Sequence, residues 1–255
     1  MNFGTPNEPP PHFNPTSALL PIRRGRVIFF LLLAIGAVLL LAALAYSQEP
    51  PARLVLHVGW DGADYRRVGQ MLAGGELPNL ASLGNFQQLE IVEVTVTKPS
   101  WATELSGLPW NVHGTRDNKH YRAIPAGWTL FEQLSTYGIP SAYVAGKCGP
   151  PSHNNMCSGR DANGNPYPFL RVKDAVVYFV ANAALSKQQI TNRCLDAVAS
   201  VGGVGYVFCH YQWPDETGHV LGGDSAEYGQ DLRALDAELG VLLSQLPVGA
   251  VLLLT

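Results

Sequence analysis

Residues 53–62 read Arg53-Leu54-Val55-Leu56-His57-Val58-Gly59-Trp60-Asp61-Gly62. Leu54, Val55, Leu56 and Val58 fall almost together instead of alternating with polar residues, which is the pattern of a strand buried on both faces in a parallel sheet. The strand then runs into an acid and a glycine. In open α/β sheets ligands collect beyond the carboxyl ends of the strands, so this stretch predicts both the fold class and the place to look for chemistry. Comparable apolar runs at Leu89–Val94, Ser141–Ala145, Gly205–His210 and Ala250–Leu254 predict four further strands, with helix-like segments between them. The expected fold is α/β, with a mostly parallel central sheet and helices on both faces. The clearest helix signal runs from Ser225 to Leu246, where Tyr228, Leu232, Leu235, Leu239, Leu242 and Leu246 recur at three- and four-residue steps. Asp224 and Glu227 suggest a capping box at its start, and Pro247 closes it. Gly149 to Pro168, rich in Gly, Pro, Asn and Ser, is read as an irregular loop.

The chain has 255 residues, 47% of them hydrophobic, which is enough to bury a sizeable core. A formal net charge of -3 and the lack of a long basic run argue against a nucleic-acid-binding surface. Arg23, Arg24 and Arg26 form the one basic cluster, and Val27 to Ala45 follows without a charge, an amide side chain or a proline. That run is long enough as a helix to cross a bilayer, with the arginines retained on the cytoplasmic side. A signal anchor is expected, with a cleaved secretory signal as the alternative. The domain reading is then a disordered cytoplasmic tail at 1–22, a transmembrane segment at 23–47 and an exported domain at 48–255. An oxidising destination suits the four cysteines, Cys148, Cys157, Cys194 and Cys209. Cys148–Cys157 is the disulfide expected first. Cys194 and Cys209 are read either as a second bridge or as small buried apolar residues.

Three predicted strands deliver polar residues at their ends. After the first comes Asp61-Gly62. After the second comes Thr97-Lys98-Pro99-Ser100, a hydroxyl at a strand-to-helix transition where helix amides favour developing negative charge. After the strand at 205–210 comes Asp215-Glu216-Thr217-Gly218-His219, a carboxylate and an imidazole four positions apart that, bent around the glycine, can meet on one cation. Each of these taken alone has a plainer reading as a helix cap, a turn residue or a solvated loop residue.

Taken together they resemble the alkaline phosphatase superfamily, most closely its type I phosphodiesterase/nucleotide pyrophosphatase and sulfatase-like branch, over about Leu54 to Thr255. The resemblance rests on Asp61-Gly62 with Pro78-Asn79-Leu80, on Thr97 nine residues before Ser106-Gly107, on Asn118 after Gly114, and on Asp215 to His219. It implies hydrolysis of phosphate esters, at a phosphodiester or pyrophosphate bond, by Thr97 as nucleophile through a phospho-threonine intermediate. It implies two divalent metals, one held by Asp61 and Thr97 and the other by Asp215 and His219, and the mixed oxygen and nitrogen ligation of the latter pair suits zinc or a similar transition metal. Asn118 would donate to a phosphoryl oxygen. The family also expects an Asp-His pair after the next strand and a further His, so a chain incomplete at its C-terminus is expected.

Rival readings are a sulfatase, a phosphomonoesterase and an inactive membrane-tethered fragment. Thr97-Lys98-Pro99-Ser100 has the spacing of the sulfatase Cys-x-Pro-Ser-Arg element, but Thr97 cannot become formylglycine and Trp101 stands near where arginine is expected. Lys147, after the strand at 141–145, is placed either as a contact to a doubly charged phosphate or as an ordinary surface lysine. His57, His113, His120, His153 and His210 carry no ligand spacing, and His210 is expected to pack or to act behind a metal ligand.

Overall fold

The computed structural model describes residues 54–84, 86–87, 95–118, 124–147 and 172–255. The chain divides into two units, Met1–Glu49 and Pro50–Thr255, and every described residue belongs to the second. The apolar run at 27–45, the expected strand at 89–94, the loop at 149–168 and the Cys148–Cys157 pair lie outside the described residues. Among the described residues no helix is long and apolar enough to cross a membrane.

Five strands form one sheet: β1 (Leu54–Trp60), β2 (Ser141–Ala145), β3 (Tyr178–Ala181), β4 (Gly205–Tyr211) and β5 (Val251–Leu254). Their order is β3-β2-β4-β1-β5, and every pairing is parallel. The expectation of a parallel sheet is met, and its reason is visible in burial: β2 and β4 are buried at every position, and β1 at all but one. β3, absent from the sequence reading, is an edge strand whose four residues are only half-buried.

Side chains alternate between two apolar layers, as the period of a strand requires. On one face Leu54, Leu56, Val58 and Trp60 of β1 join Val207, Cys209 and Tyr211 of β4. Four helices cover this face: α1 (Tyr65–Ala73), α2 (Pro78–Ser82), α7 (Lys187–Ser200) and α9 (Ala226–Gln245). On the other face Tyr143 and Ala145 of β2 and Tyr206 and Phe208 of β4 meet α3 (Thr97–Ser106) and α5 (Leu130–Thr136). The short helices α4 (Trp110–His113), α6 (Val172–Ala175) and α8 (Asp215–Leu221) complete the described elements.

One expectation is corrected, and one choice left open is decided. The long helix starts one residue later than Asp224: Ser225 is the cap, its hydroxyl accepting from the Tyr228 amide, while Asp224 pairs with Arg66 at 2.9 Å. Ser wins the cap because its short hydroxyl reaches the free amides of the first turn. Cys194 of α7 and Cys209 of β4 are bonded to each other across the covered face, so of the two readings left open the bridge holds.

Pro78-Asn79-Leu80 also finds its reason. Asp236 of α9 is buried, and its carboxylate accepts from the Asn79 amide at 3.1 Å, the Asn79 side chain at 3.0 Å and the Leu80 amide at 2.7 Å. Proline begins α2, where no amide proton is needed, and the next two amides are satisfied by a charge from another helix. The motif thus fastens α2 to α9.

Candidate active site

β1, β4 and β2 are neighbours in the sheet, and Trp60 lies in register with Tyr211, and Ala145 with His210. Their chain continuations therefore emerge side by side at one edge. β1 leads to Asp61, β4 to Asp215 and β2 to Lys147. The first two are joined through the main chain: the Asp61 amide donates to the Tyr211 carbonyl at 3.0 Å, and the Asp215 amide to the Asp61 carbonyl at 2.8 Å. Gly62 makes the approach possible. Its φ of 76° lies in the left-handed region, and a Cβ there would sit 2.7 Å from Asp215 Cα. Tyr228 of α9 braces the same turn, its hydroxyl donating to the Gly62 carbonyl at 2.6 Å and accepting from the Asp64 amide at 2.8 Å.

Thr97 comes from the other side, as the first residue of α3. The helix is pressed onto the sheet at a glycine. Gly59 lies directly under Trp101, and a Cβ on Gly59 would be 2.3 Å from the indole Cη2. Trp101 also packs edge-on against Phe208 and His210, with ring centroids 5.4 and 5.1 Å apart. One turn further on, Glu104 meets the buried His57 Nε2 at 2.9 Å, and His57 Nδ1 lies 2.6 Å from the Tyr206 hydroxyl. An aromatic wedge and a polar tie thus fix where α3 begins, and so where Thr97 stands.

These elements bring Asp61, Thr97, Asp215 and Lys147 to one point. The Lys147 ammonium donates to Asp61 Oδ2 at 2.8 Å, to Asp215 Oδ2 at 2.5 Å and to Thr97 Oγ1 at 3.3 Å. The lysine is buried, so the surface reading of Lys147 is corrected. Burial alone would push its pKa down; Asp61 and Asp215 overcome this and hold it above the usual lysine value. For Asp61, burial works to raise the pKa, and His210 and Lys147 together bring it below the ordinary carboxylate value. His210 is fully buried on β4, its Nε2 facing Asp61 Oδ2 at 3.4 Å, too long for a tight hydrogen bond. It packs behind an acid of the site, as expected from its strand position.

Asn118 is drawn in through the start of α3. Its Oδ1 accepts from the Lys98 amide at 2.9 Å, and its carbonyl accepts from Lys98 Nζ at 2.8 Å. The amide oxygen thereby satisfies one of the free donors of the helix start, leaving the NH2 group as the donor end. Burial lowers the Lys98 pKa to about 8, with Asp117 opposing the shift. Lys98 went unremarked in the sequence, although its place next to the hydroxyl was the available signal.

Asp215 and His219 are placed together, but not in the way expected. Both lie on α8, one turn apart, and need no bend at Gly218. His219 Nε2 is 3.3 Å from Asp215 Oδ1, and its side chain is 72% exposed. Beside them opens a cleft of about 390 Å³ lined by Gly62, Arg66, Asp215, His219, Asp224 and Tyr228.

The sequence profile of the type I phosphodiesterase / nucleotide pyrophosphatase family matches residues 55–253. The chain belongs to this family. Among solved structures it is similar to murine ectonucleotide pyrophosphatase/phosphodiesterase 5, determined as an inactive variant in complex with AMP, at 17% identity and a TM-score of 0.55, over 74% of this chain and 51% of that one. It is similar to the human ectonucleotide pyrophosphatase/phosphodiesterase 5 at 18% identity and a TM-score of 0.54, over 75% and 52%. The chain thus spans about half the length of these structures. No curated protein matches it in sequence.

This family is generally metal-dependent. The oxygens fit a cation, since Asp61 Oδ2, Asp215 Oδ2 and Thr97 Oγ1 already converge on one positive charge, that of Lys147. Asp61 with Thr97 would hold one ion, and Asp215 with His219 a second. Among the described residues no group of three His, Cys, Asp or Glu surrounds either position.

Proposed function

We propose that this protein is a phosphoric ester hydrolase acting at a phosphodiester or pyrophosphate bond, with Thr97 as the nucleophile. The observation that carries the reading is the convergence of Asp61, Asp215 and Thr97 on a single cationic point at the start of a helix. Thr97 Oγ1 attacks phosphorus in line with the leaving oxygen; the phosphorus–oxygen bond to the leaving group breaks, the hydroxyl proton ends on the leaving oxygen, and phosphorus, still carrying the substrate's other substituent, becomes esterified to Thr97. Water then cleaves that ester and restores the hydroxyl. Asp61 with Thr97 and Asp215 with His219 would hold two divalent cations, the oxygen and nitrogen donors of the second pair suiting zinc, which would supply Lewis acidity for the hydroxyl and for phosphoryl charge.

The chain's own residues do the rest. The positive end of the α3 dipole lies at Thr97, although the Lys98 and Ser100 amides of that turn are already bonded, to Asn118 Oδ1 and to the Val96 carbonyl, and Pro99 has none. Asn118, its oxygen already engaged by the Lys98 amide, directs its NH2 group to a non-bridging oxygen. Asp61 and Asp215 are locked by the main-chain bond between them, so each would present its carboxylate to a cation from a fixed backbone position. The cleft beside Asp215 and His219 receives the leaving group. A phosphomonoesterase is the second reading, favoured by Lys147 standing 3.3 Å from Thr97 Oγ1, where it would meet the extra charge of a monoester.

The test is turnover of an aryl phosphodiester, an aryl phosphomonoester and an aryl sulfate by the full chain supplied with zinc. The phosphodiester should be preferred, and Thr97→Ala should lower the rate by about 10³-fold or more while leaving the circular dichroism spectrum unchanged. Acid-quenched reactions with the phosphodiester should yield a peptide carrying at Thr97 the phosphoryl group with the substrate's retained ester substituent. A Thr97→Ala enzyme as fast as wild type, or release of sulfate alone, would reject the reading. The proposal includes a location: the run at 27–45 anchors residues 48–255 outside the cytoplasm. Externally added protease should then digest the domain on intact cells, and full protection would reject that placement.

A further inference from the structure

We propose that Lys147 is the site's own exchangeable cation: its ammonium and a divalent ion compete for Asp61 Oδ2, Asp215 Oδ2 and Thr97 Oγ1. This rests on the reading that Asp61 and Thr97 hold a metal. Loading that position therefore turns Lys147 out of the site.

The overlap is atom for atom. The oxygens at 2.8 and 3.3 Å from the ammonium are the two assigned to one metal, and the third contact at 2.5 Å takes an oxygen of the second. Zinc binds carboxylate oxygen at about 2.0–2.2 Å, so an ion on Asp61 Oδ2 and Thr97 Oγ1 would overlap the space that the ammonium fills. Charge gives the same answer. One buried carboxylate, Asp61, one half-buried carboxylate, Asp215, and one ammonium leave one net negative charge, whereas a divalent ion together with the ammonium would leave an excess of positive charge around the buried Asp61 and Lys147.

The second position is different. Asp215 Oδ1 and His219 Nε2 are not contacted by Lys147, and the imidazole is exposed. A metal enters there without displacing anything. The two positions are thus unequal, one open and one guarded by a lysine. A lysine suits this role because its flexible four-carbon stem allows the charge to leave while the backbone stays. That backbone is pinned, since the neighbouring Gly146 amide donates to the His210 carbonyl at 2.9 Å.

The experiment is zinc titration by calorimetry of the chelator-treated full chain, as wild type and as Lys147→Met, which keeps the stem and removes the charge. Lys147→Met should bind zinc more tightly by on the order of tenfold. In parallel, acetylation of Lys147 by an amine-reactive ester, read by mass spectrometry on wild type, should rise several-fold when zinc is added, as the amine leaves its buried position. This second measurement needs no variant and decides the matter if Lys147→Met does not fold. Unchanged labelling of Lys147, or a Lys147→Met affinity equal to or below that of wild type, overturns the exchange. Both shifts in a protein that hydrolyses no phosphoester would instead remove the proposed activity and leave the exchange standing.

Discussion

Alanine in place of Gly59 would put a methyl carbon 2.3 Å from Trp101 Cη2. Carbon atoms rest about 3.5 Å apart or more, so the indole and the strand must separate by about 1.2 Å. The ring has little room to yield. Trp101 is buried, with Phe208 and His210 against its flanks. The displacement therefore passes to α3 itself, whose first residue is Thr97. Overpacking of this kind costs about 1–3 kcal/mol. For a domain of roughly 200 residues each kcal/mol lowers Tm by about 2–4 °C, so thermal unfolding should shift down by about 2–12 °C. Activity should fall by more than stability, since a misplacement of about 1 Å at a reacting group can cost on the order of 100-fold in rate. The assay is calorimetric unfolding with kcat/KM on an aryl phosphodiester. Trp101→Phe, which removes the ring that carries Cη2, should recover part of both losses in the double variant, giving a coupling of opposite sign to the single effects. A Gly59→Ala protein with unchanged Tm, or a double variant whose losses simply add, would refute the account of how Thr97 is positioned.

Two further outcomes follow from buried polar groups away from the reacting atoms. Asp236→Ala should destabilise the domain by about 2–4 kcal/mol in urea unfolding, because it strips the partner from the Asn79 and Leu80 amides in a buried position; a loss within ±0.5 kcal/mol would mean that α2 is not fastened to α9 in this way. Tyr143, Tyr206 and Tyr211 are all held above the ordinary phenol pKa by burial. In the unfolded chain these phenols ionise near pH 10, so the unfolded state loses protons first and stability falls as pH rises through that value. Tyrosinate absorbance should appear together with loss of the far-ultraviolet dichroism; ionisation of these tyrosines well before unfolding would contradict their burial.

The sheet was legible because parallel strands are buried on both faces and therefore spell themselves as apolar runs. β3 escaped because it is an edge strand: Tyr178–Ala181 is short and half-exposed, and its pattern carries no buried run at the centre of the sheet. Asp61, Thr97 and Asp215 could be named from their positions after strands. Their mutual approach could not be, since it depends on β1 lying beside β4, a neighbour 151 positions away by the register Leu54 to Gly205. Lys147 shows the limit most clearly. A lysine after an apolar strand reads as surface, and only the order β3-β2-β4-β1-β5 carries it between two acids. The Asp215–His219 spacing was read correctly as a pair but attributed to a bend, because Gly218 suggests a turn where tertiary context in fact allows a helix.

The bond from the Asp215 amide to the Asp61 carbonyl has a consequence for how such a site changes over generations. It is made by atoms that every amino acid except proline possesses, so it persists when either side chain is replaced. The frame and its fittings are therefore separable: an acid, an amide or a histidine can be tried at either position while the two remain at the same distance. A lineage carrying this frame can vary the side chains at these two positions by single substitutions that leave the main-chain bond in place.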